Sequence, residues 1–107
     1  MERRIENIVR HAEVSEKAIE RYLTDRVKNA GGLCLKYSNS NMVGYPDRVV
    51  LLPQGRTVWV ELKSKGRKPT KIQRLRFGQM ESIGHPVEVV DSKEKVDGMF
   101  KALGYDL

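Results

Sequence analysis

Three short segments hold side chains that could do chemistry together: Gly44-Tyr45-Pro46-Asp47, Glu61-Leu62-Lys63, and Gln73. Two carboxylates and an amine are the parts of a hydrolytic centre. Carboxylates about 4 Å apart repel by roughly 4 kcal/mol at an effective dielectric of 20, so something positive must offset them. Lys63 supplies one charge, and a divalent cation would supply more. Carboxylate oxygens are hard donors and no histidine or cysteine adjoins them, which favours Mg2+ or Mn2+ over Zn2+. Such an ion orients a water, lowers its pKa and offsets the charge developed in phosphoryl transfer. Lys63 would help place that water or stabilise the same charge. Each piece also has a plainer reading. Pro-Asp at a strand start is common turn chemistry, Glu-x-Lys on a strand is usually an exposed ion pair of little worth, and Gln73 is explained as part of a helix cap. The chemistry rests on the order of the pieces: aspartate, hairpin, Glu-x-Lys, basic loop.

The elements that must position these residues follow from spacing. Ala18, Ile19, Tyr22, Leu23 and Val27 recur at helical intervals, with Ser15 as an N-cap or a polar point in a longer helix, and Gly31-Gly32 as the stop. Leu33–Tyr37 is a short strand and Ser38-Asn39-Ser40-Asn41 a polar loop. Asp47–Leu52 and Thr57–Lys63 are strands of a hairpin joined through Pro53-Gln54-Gly55-Arg56. Glu61 and Lys63 share a strand face. A two- or four-residue loop would set Asp47 opposite Leu62 and turn Glu61 away; a three-residue loop, which Gly55 makes feasible, would set Asp47 facing Glu61 or Lys63. Thr70-Lys71-Ile72-Gln73 is a capping box opening a helix to about Ile83, which Gly84 ends. Pro86–Val90 is a fourth strand. Asp91-Ser92-Lys93-Glu94 repeats the capping pattern before a last helix with Val96, Met99, Phe100 and Leu103 on one face. Residues 1–13 form a short amphipathic arm, and residues 14–107 one domain.

The 107 residues carry 20 Lys plus Arg and 14 Asp plus Glu, a net charge of +6. The excess is local: Lys63, Lys65, Arg67, Lys68, Lys71, Arg74 and Arg76 lie between residues 62 and 80 with no acid among them. Such a run is either a solvated face or a phosphate-binding patch. No apolar stretch reaches membrane-spanning length, and the charged first ten residues lack the apolar core of a secretory signal. The single Cys34 cannot form an internal disulfide, which fits a reducing compartment, and with His11 and His85 it makes no zinc site. The expected location is the cytoplasm of a bacterium or a phage-infected cell, without membrane association.

Gly44-Tyr45-Pro46-Asp47-Arg48, Val60-Glu61-Leu62-Lys63, the basic loop and Gln73 together resemble the VRR-NUC (virus-type replication-repair nuclease) family, a branch of the PD-(D/E)xK nucleases. The likeness covers roughly residues 14 to 100 and includes Glu16, Glu20, Gly31-Gly32 and Lys36. It implies an α/β fold with a restriction-endonuclease-like αβββαβ core, a mixed central sheet flanked by helices. By position it implies that Asp47 and Glu61 ligate Mg2+ or Mn2+, joined by the backbone carbonyl of Leu62 and by a first-helix glutamate, Glu16, or alternatively Glu20. Lys63 is then the catalytic lysine, and Gln73 sits at the edge of the site. Tyr45 stands where the family more often has a small or β-branched residue, and either packs on the loop or stacks on a base or sugar. The implied activity is a metal-dependent DNA endonuclease acting on branched DNA, a Holliday junction or flap, as a homodimer. Lys65, Arg67, Lys68, Lys71, Arg74 and Arg76 would grip the DNA backbone. The competing class is a non-catalytic basic nucleic-acid-binding module that retains the fold, against which the intact Asp47, Glu61 and Lys63 argue. An RNA-binding protein is disfavoured by 7% aromatic content.

Overall fold

The computed structural model describes residues 15–105; the expected arm at 1–13 lies outside them. Ser15 caps the first helix, α1 (Glu16–Asn29), its side chain accepting from the amide of Ala18 at 3.1 Å. Glu16 occupies the first turn and Arg26 and Lys28 the last, each opposing the nearer end of the helix dipole. Ile19, Leu23 and Val27 fall on one side and are fully buried. The chain then turns tightly into β1 (Leu33–Lys36). Gly32 is required there: a Cβ would stand 2.3 Å from the carbonyl oxygen of Leu51, so only a residue without one lets the turn approach the sheet.

Three strands follow as a meander. β1 pairs antiparallel with β2 (Arg48–Leu52), and β2 with β3 (Arg56–Leu62). The last pair of the hairpin is Leu52 with Arg56, leaving Pro53, Gln54 and Gly55 as a three-residue loop. Gln54 and Gly55 both take positive φ, 67° and 73°. This odd loop length sets the register. Arg48 faces Val60, and one step outward Asp47 falls opposite Glu61. The alternative with Asp47 opposite Leu62 is thereby excluded.

After β3 the chain crosses over through α2 (Lys71–Ser82) and returns in β4 (Val87–Val90), parallel to β3. A parallel return needs such a crossover. The Thr70 capping box is complete: Thr70 accepts from the Gln73 amide at 3.2 Å, and the Gln73 side chain accepts from the Thr70 amide at 2.9 Å. The last helix, α3, spans Lys93–Ala102. Its cap is Ser92, accepting from Lys95, one residue later than the Asp91…Glu94 pattern implies. Asp91 is committed elsewhere, pairing with Lys95 Nζ at 3.1 Å and accepting from the Gly66 amide at 3.3 Å.

The sheet order is β1-β2-β3-β4. One face carries Val50, Leu52, Val60, Leu62 and Val90 into the core, against Ile19, Leu23 and Val27 of α1 and Val96, Met99 and Phe100 of α3. Burying each such side chain contributes about 1.5–3 kcal/mol. Alternation along β3 turns Glu61 to the opposite face, the one α2 reaches with Gln73.

Candidate active site

Asp47 immediately precedes β2, and Lys63 immediately follows β3. The backbone pairing continues past both strand ends: the Tyr37 amide donates to the Asp47 carbonyl at 2.8 Å and the Lys63 amide to that of Val90 at 3.0 Å. Both residues therefore start from fixed backbone. Glu61 is 4% exposed, a buried carboxylate in a sheet interior. Its Oε2 lies 3.3 Å from Lys63 Nζ and accepts from Gln73 Nε2 at 2.9 Å. Its Oε1 is buried and has no hydrogen-bond partner. Asp47 Oδ1 accepts from the Leu62 amide at 3.2 Å.

The electrostatics are under-compensated. Burial, and then repulsion from Glu61, push the Asp47 carboxyl up from 3.8 to about 6, against the opposing help of the Leu62 amide and Arg48. An unsatisfied buried acceptor costs about 1–3 kcal/mol, and more when charged. The bare Oε1 of Glu61 and the buried, repelled carboxyl of Asp47 both favour added positive charge beyond that of Lys63. Two hard carboxylates suit Mg2+ or Mn2+, since Mg2+ is commonly held by one or two carboxylates with waters and substrate phosphates completing its shell. The donor set therefore fits such an ion.

The two first-helix glutamates have different fates. Glu20 Oε1 pairs with Arg48 Nη2 at 2.6 Å, the guanidinium being 8% exposed, so this carboxylate is already engaged on the core face. Glu16 is exposed at the start of α1 and near enough to add to the upward shift of Asp47. Among the described residues, however, no three His, Cys, Asp or Glu side chains converge closely enough to hold a metal. The strand pair Asp47–Glu61 is brought together; Glu16 stands off from it.

Two positioning contacts escape the sequence. Arg76 donates from Nε to the carbonyl of Val43 at 3.1 Å and lies 5.4 Å over the ring of Tyr45. It thus clamps the loop that leads into Asp47, a contact that the charge pattern, which places it among the DNA-gripping cations, does not reveal. Tyr45 packs in this clamp. Gly44 (φ 95°) makes the close approach possible: a Cβ there would meet Arg76 Cγ at 2.9 Å and the Ile72 carbonyl at 3.0 Å. One helix therefore braces both carboxylates, Gln73 holding Glu61 directly and Arg76 holding the approach to Asp47. Of the remaining cations, Lys65, Arg67, Lys68, Lys71 and Arg74 are exposed, Arg74 also donating to the Pro69 carbonyl at 2.9 Å.

A mixed sheet flanked by helices, with an aspartate entering one strand and Glu-x-Lys leaving the next, defines a restriction-endonuclease-like fold. Comparisons with known proteins agree. No family profile matches the chain. A solved structure described as "VRR_NUC domain" superposes with a TM-score of 0.75 at 32% identity, covering 84% of this chain and 97% of that one. A relative called "Putative nuclease p44", from Acyrthosiphon pisum secondary endosymbiont phage 1, is 37% identical over 81 residues, 76% of this chain and 87% of its own length. The chain belongs to the VRR-NUC family.

Proposed function

We propose that this protein is a divalent-metal-dependent DNA endonuclease that hydrolyses phosphodiester bonds, acting on branched DNA such as a Holliday junction or flap. The observation that carries the reading is Glu61 Oε1, a buried carboxylate oxygen without a hydrogen-bond partner, on a strand whose neighbour brings in Asp47, a second carboxylate that burial and the charge of Glu61 push up to about 6. Asp47 and Glu61 would hold Mg2+ or Mn2+, with the Leu62 carbonyl and Glu16 of α1 as the further donors. When bound, the ion supplies charge neutralisation at the phosphate and activation of the attacking water.

The chain's own residues do the rest. Gln73 fixes Glu61 through Oε2, and Oε1 keeps no hydrogen-bond partner of its own. Lys63, 3.3 Å from Glu61, would keep its ammonium at the edge of the carboxylate pair. Its ammonium then orients the nucleophilic water or binds the non-bridging oxygen that gains charge. Attack in line breaks the P–O bond opposite the incoming water. Arg76 keeps Asp47 in register through Val43 and Tyr45. Lys65, Arg67, Lys68, Lys71 and Arg74 hold the DNA backbone, which supplies position rather than sequence readout. Residues 14–107 form the nuclease domain in this reading, and a two-fold homodimer would present two such centres to a symmetric junction. No helix among the described residues is long and apolar enough to cross a membrane.

The test is a panel of single-strand, duplex, flap and four-way-junction oligonucleotides incubated with Mg2+ or Mn2+. Wild type should cut the branched substrates, and Asp47→Asn and Lys63→Ala should not. Binding without cutting under every metal would leave a non-catalytic module. Undiminished cutting by the variants would remove the site assignment.

A further inference from the structure

Beside the carboxylates lies an apolar surface that the core does not use. Met42 and Val43, at the end of the loop before Asp47, are 44% and 65% exposed; Ile72 and Leu75, on α2, are 37% and 55% exposed. The two pairs are contiguous. The Gly44 backbone rests against the Ile72 side chain, where a Cβ would lie 3.0 Å from Cγ1, and Arg76 ties the Val43 carbonyl to the same helix. Leu75 follows Ile72 by three positions and so shares its side of α2. The result is a ridge braced at its base. The Asn39 side chain accepts from the amides of Asn41 and Met42, both at 3.0 Å, and fixes the turn that presents it.

We propose that this ridge is a wedge that enters DNA at an unpaired or weakly stacked base step beside the scissile phosphate. The inference rests on the nuclease reading and names what that site selects. Position supports it: Val43 lies four residues before Asp47, and Ile72 adjoins Gln73, which holds Glu61. Charge supports it as well. Lys71 and Arg74 interleave with Ile72 and Leu75, and no acidic residue occurs between residues 62 and 80. A polyanion complements that rim. A two-fold contact between copies would repeat the same patch on both sides and oppose like charges. Apolar side chains inserted between bases unstack a step and bend the duplex. The cost is least where stacking is already broken, as at a branch point, nick or bulge. A ridge of this kind therefore discriminates by DNA structure without reading base edges.

The experiment compares wild type with the double variant Val43→Ser/Leu75→Ser, whose exposed positions spare the core. The probes are a four-way junction carrying 2-aminopurine at the branch and a linear duplex of the same sequence, titrated in EDTA so that nothing is cut. Wild type should raise 2-aminopurine fluorescence on the junction and bind it more tightly than the duplex. The double variant should lose the fluorescence rise and about tenfold of the junction preference, which corresponds to about 1.4 kcal/mol. Its salt dependence should be unchanged, because the phosphate contacts remain. A double variant that keeps both signal and preference overturns the wedge. So does a loss of preference that coincides with dissociation of a dimer on light scattering, which would make the ridge a contact between copies. Wild type that binds junction and duplex equally, yet cuts with metal, removes the wedge and leaves the nuclease reading standing. Wild type that neither binds nor cuts any DNA removes both.

Discussion

Replacing Asp47 by asparagine should make the metal-free protein more stable while abolishing its activity. Burial and the neighbouring Glu61 raise the Asp47 carboxyl from 3.8 to about 6. Each unit of displacement corresponds to 1.36 kcal/mol between the two protonation states, so ionised Asp47 costs the fold at most about 3 kcal/mol, an upper bound that solvent screening at this half-buried site reduces to about 1–2 kcal/mol. The folded state holds the proton more tightly than the unfolded chain does. The penalty is therefore absent below about pH 4, where Asp47 is protonated in both states, and fully present above about pH 6. Asparagine cannot ionise, yet its Oδ1 can still accept from the Leu62 amide as Asp47 does. A gain of about 1–2 kcal/mol at pH 7.5 in EDTA is expected, or roughly 4–12 °C in Tm for a domain of this size. Thermal melts by circular dichroism, wild type against variant from pH 4 to 8 in EDTA, read this directly. The two curves should diverge as pH rises through 4 to 6. Adding Mn2+ should raise the Tm of wild type and leave the variant nearly unmoved, because bound ligand stabilises only the state that binds it. A variant less stable than wild type at pH 7.5, or a gap independent of pH, would refute the electrostatic reasoning.

Other outcomes follow from the same geometry. Lys63→Ala should lower the single-turnover cleavage rate by about 10²–10⁴-fold, the range for loss of one positioned proton-handling or charge-stabilising group, with DNA affinity largely kept. Arg76→Lys should keep DNA affinity and its salt slope yet raise the Mn2+ concentration needed for half-maximal cleavage, because a lysine keeps the charge and loses the guanidinium's grip on Val43 and Tyr45. A normal metal dependence in that variant would return Arg76 to the ranks of phosphate-contacting cations. Gly44→Ala should cost about 1–3 kcal/mol in urea unfolding, from positive φ and the clash with Arg76 and Ile72. Glu20→Gln should destabilise the fold through buried Arg48, by about 1–2 kcal/mol because the carboxylate side of the pair is partly solvated, without changing the metal requirement.

Much of this fold is legible in the sequence. Thr70 and Gln73 announce a helix start because both halves of the cap are local, and Gly31-Gly32 announces a helix end for the same reason. The convergence of Asp47 on Glu61 was legible only as a condition. The residue types suggested it, but the register depended on whether the hairpin loop was odd, which Gln54 adopting positive φ decided. What the sequence concealed is tertiary. Arg76 reads as one more cation in a basic run, and its hold on Val43 spans 33 positions. Glu16 and Glu20 are equivalent by helical spacing. They are separated only because Arg48, pointing to the core face next to Asp47, takes Glu20 for itself. The one-residue shift of the α3 cap arose the same way, Asp91 being drawn to Gly66 and Lys95.

The most direct test of the proposed centre is a crystal structure soaked with Mn2+ and read by anomalous scattering. One strong peak is expected between the Asp47 carboxylate and Glu61 Oε1, lost in Glu61→Gln along with cleavage. A site left empty at Mn2+ concentrations that support cleavage, or a peak bound elsewhere with cleavage intact in Glu61→Gln, would contradict it.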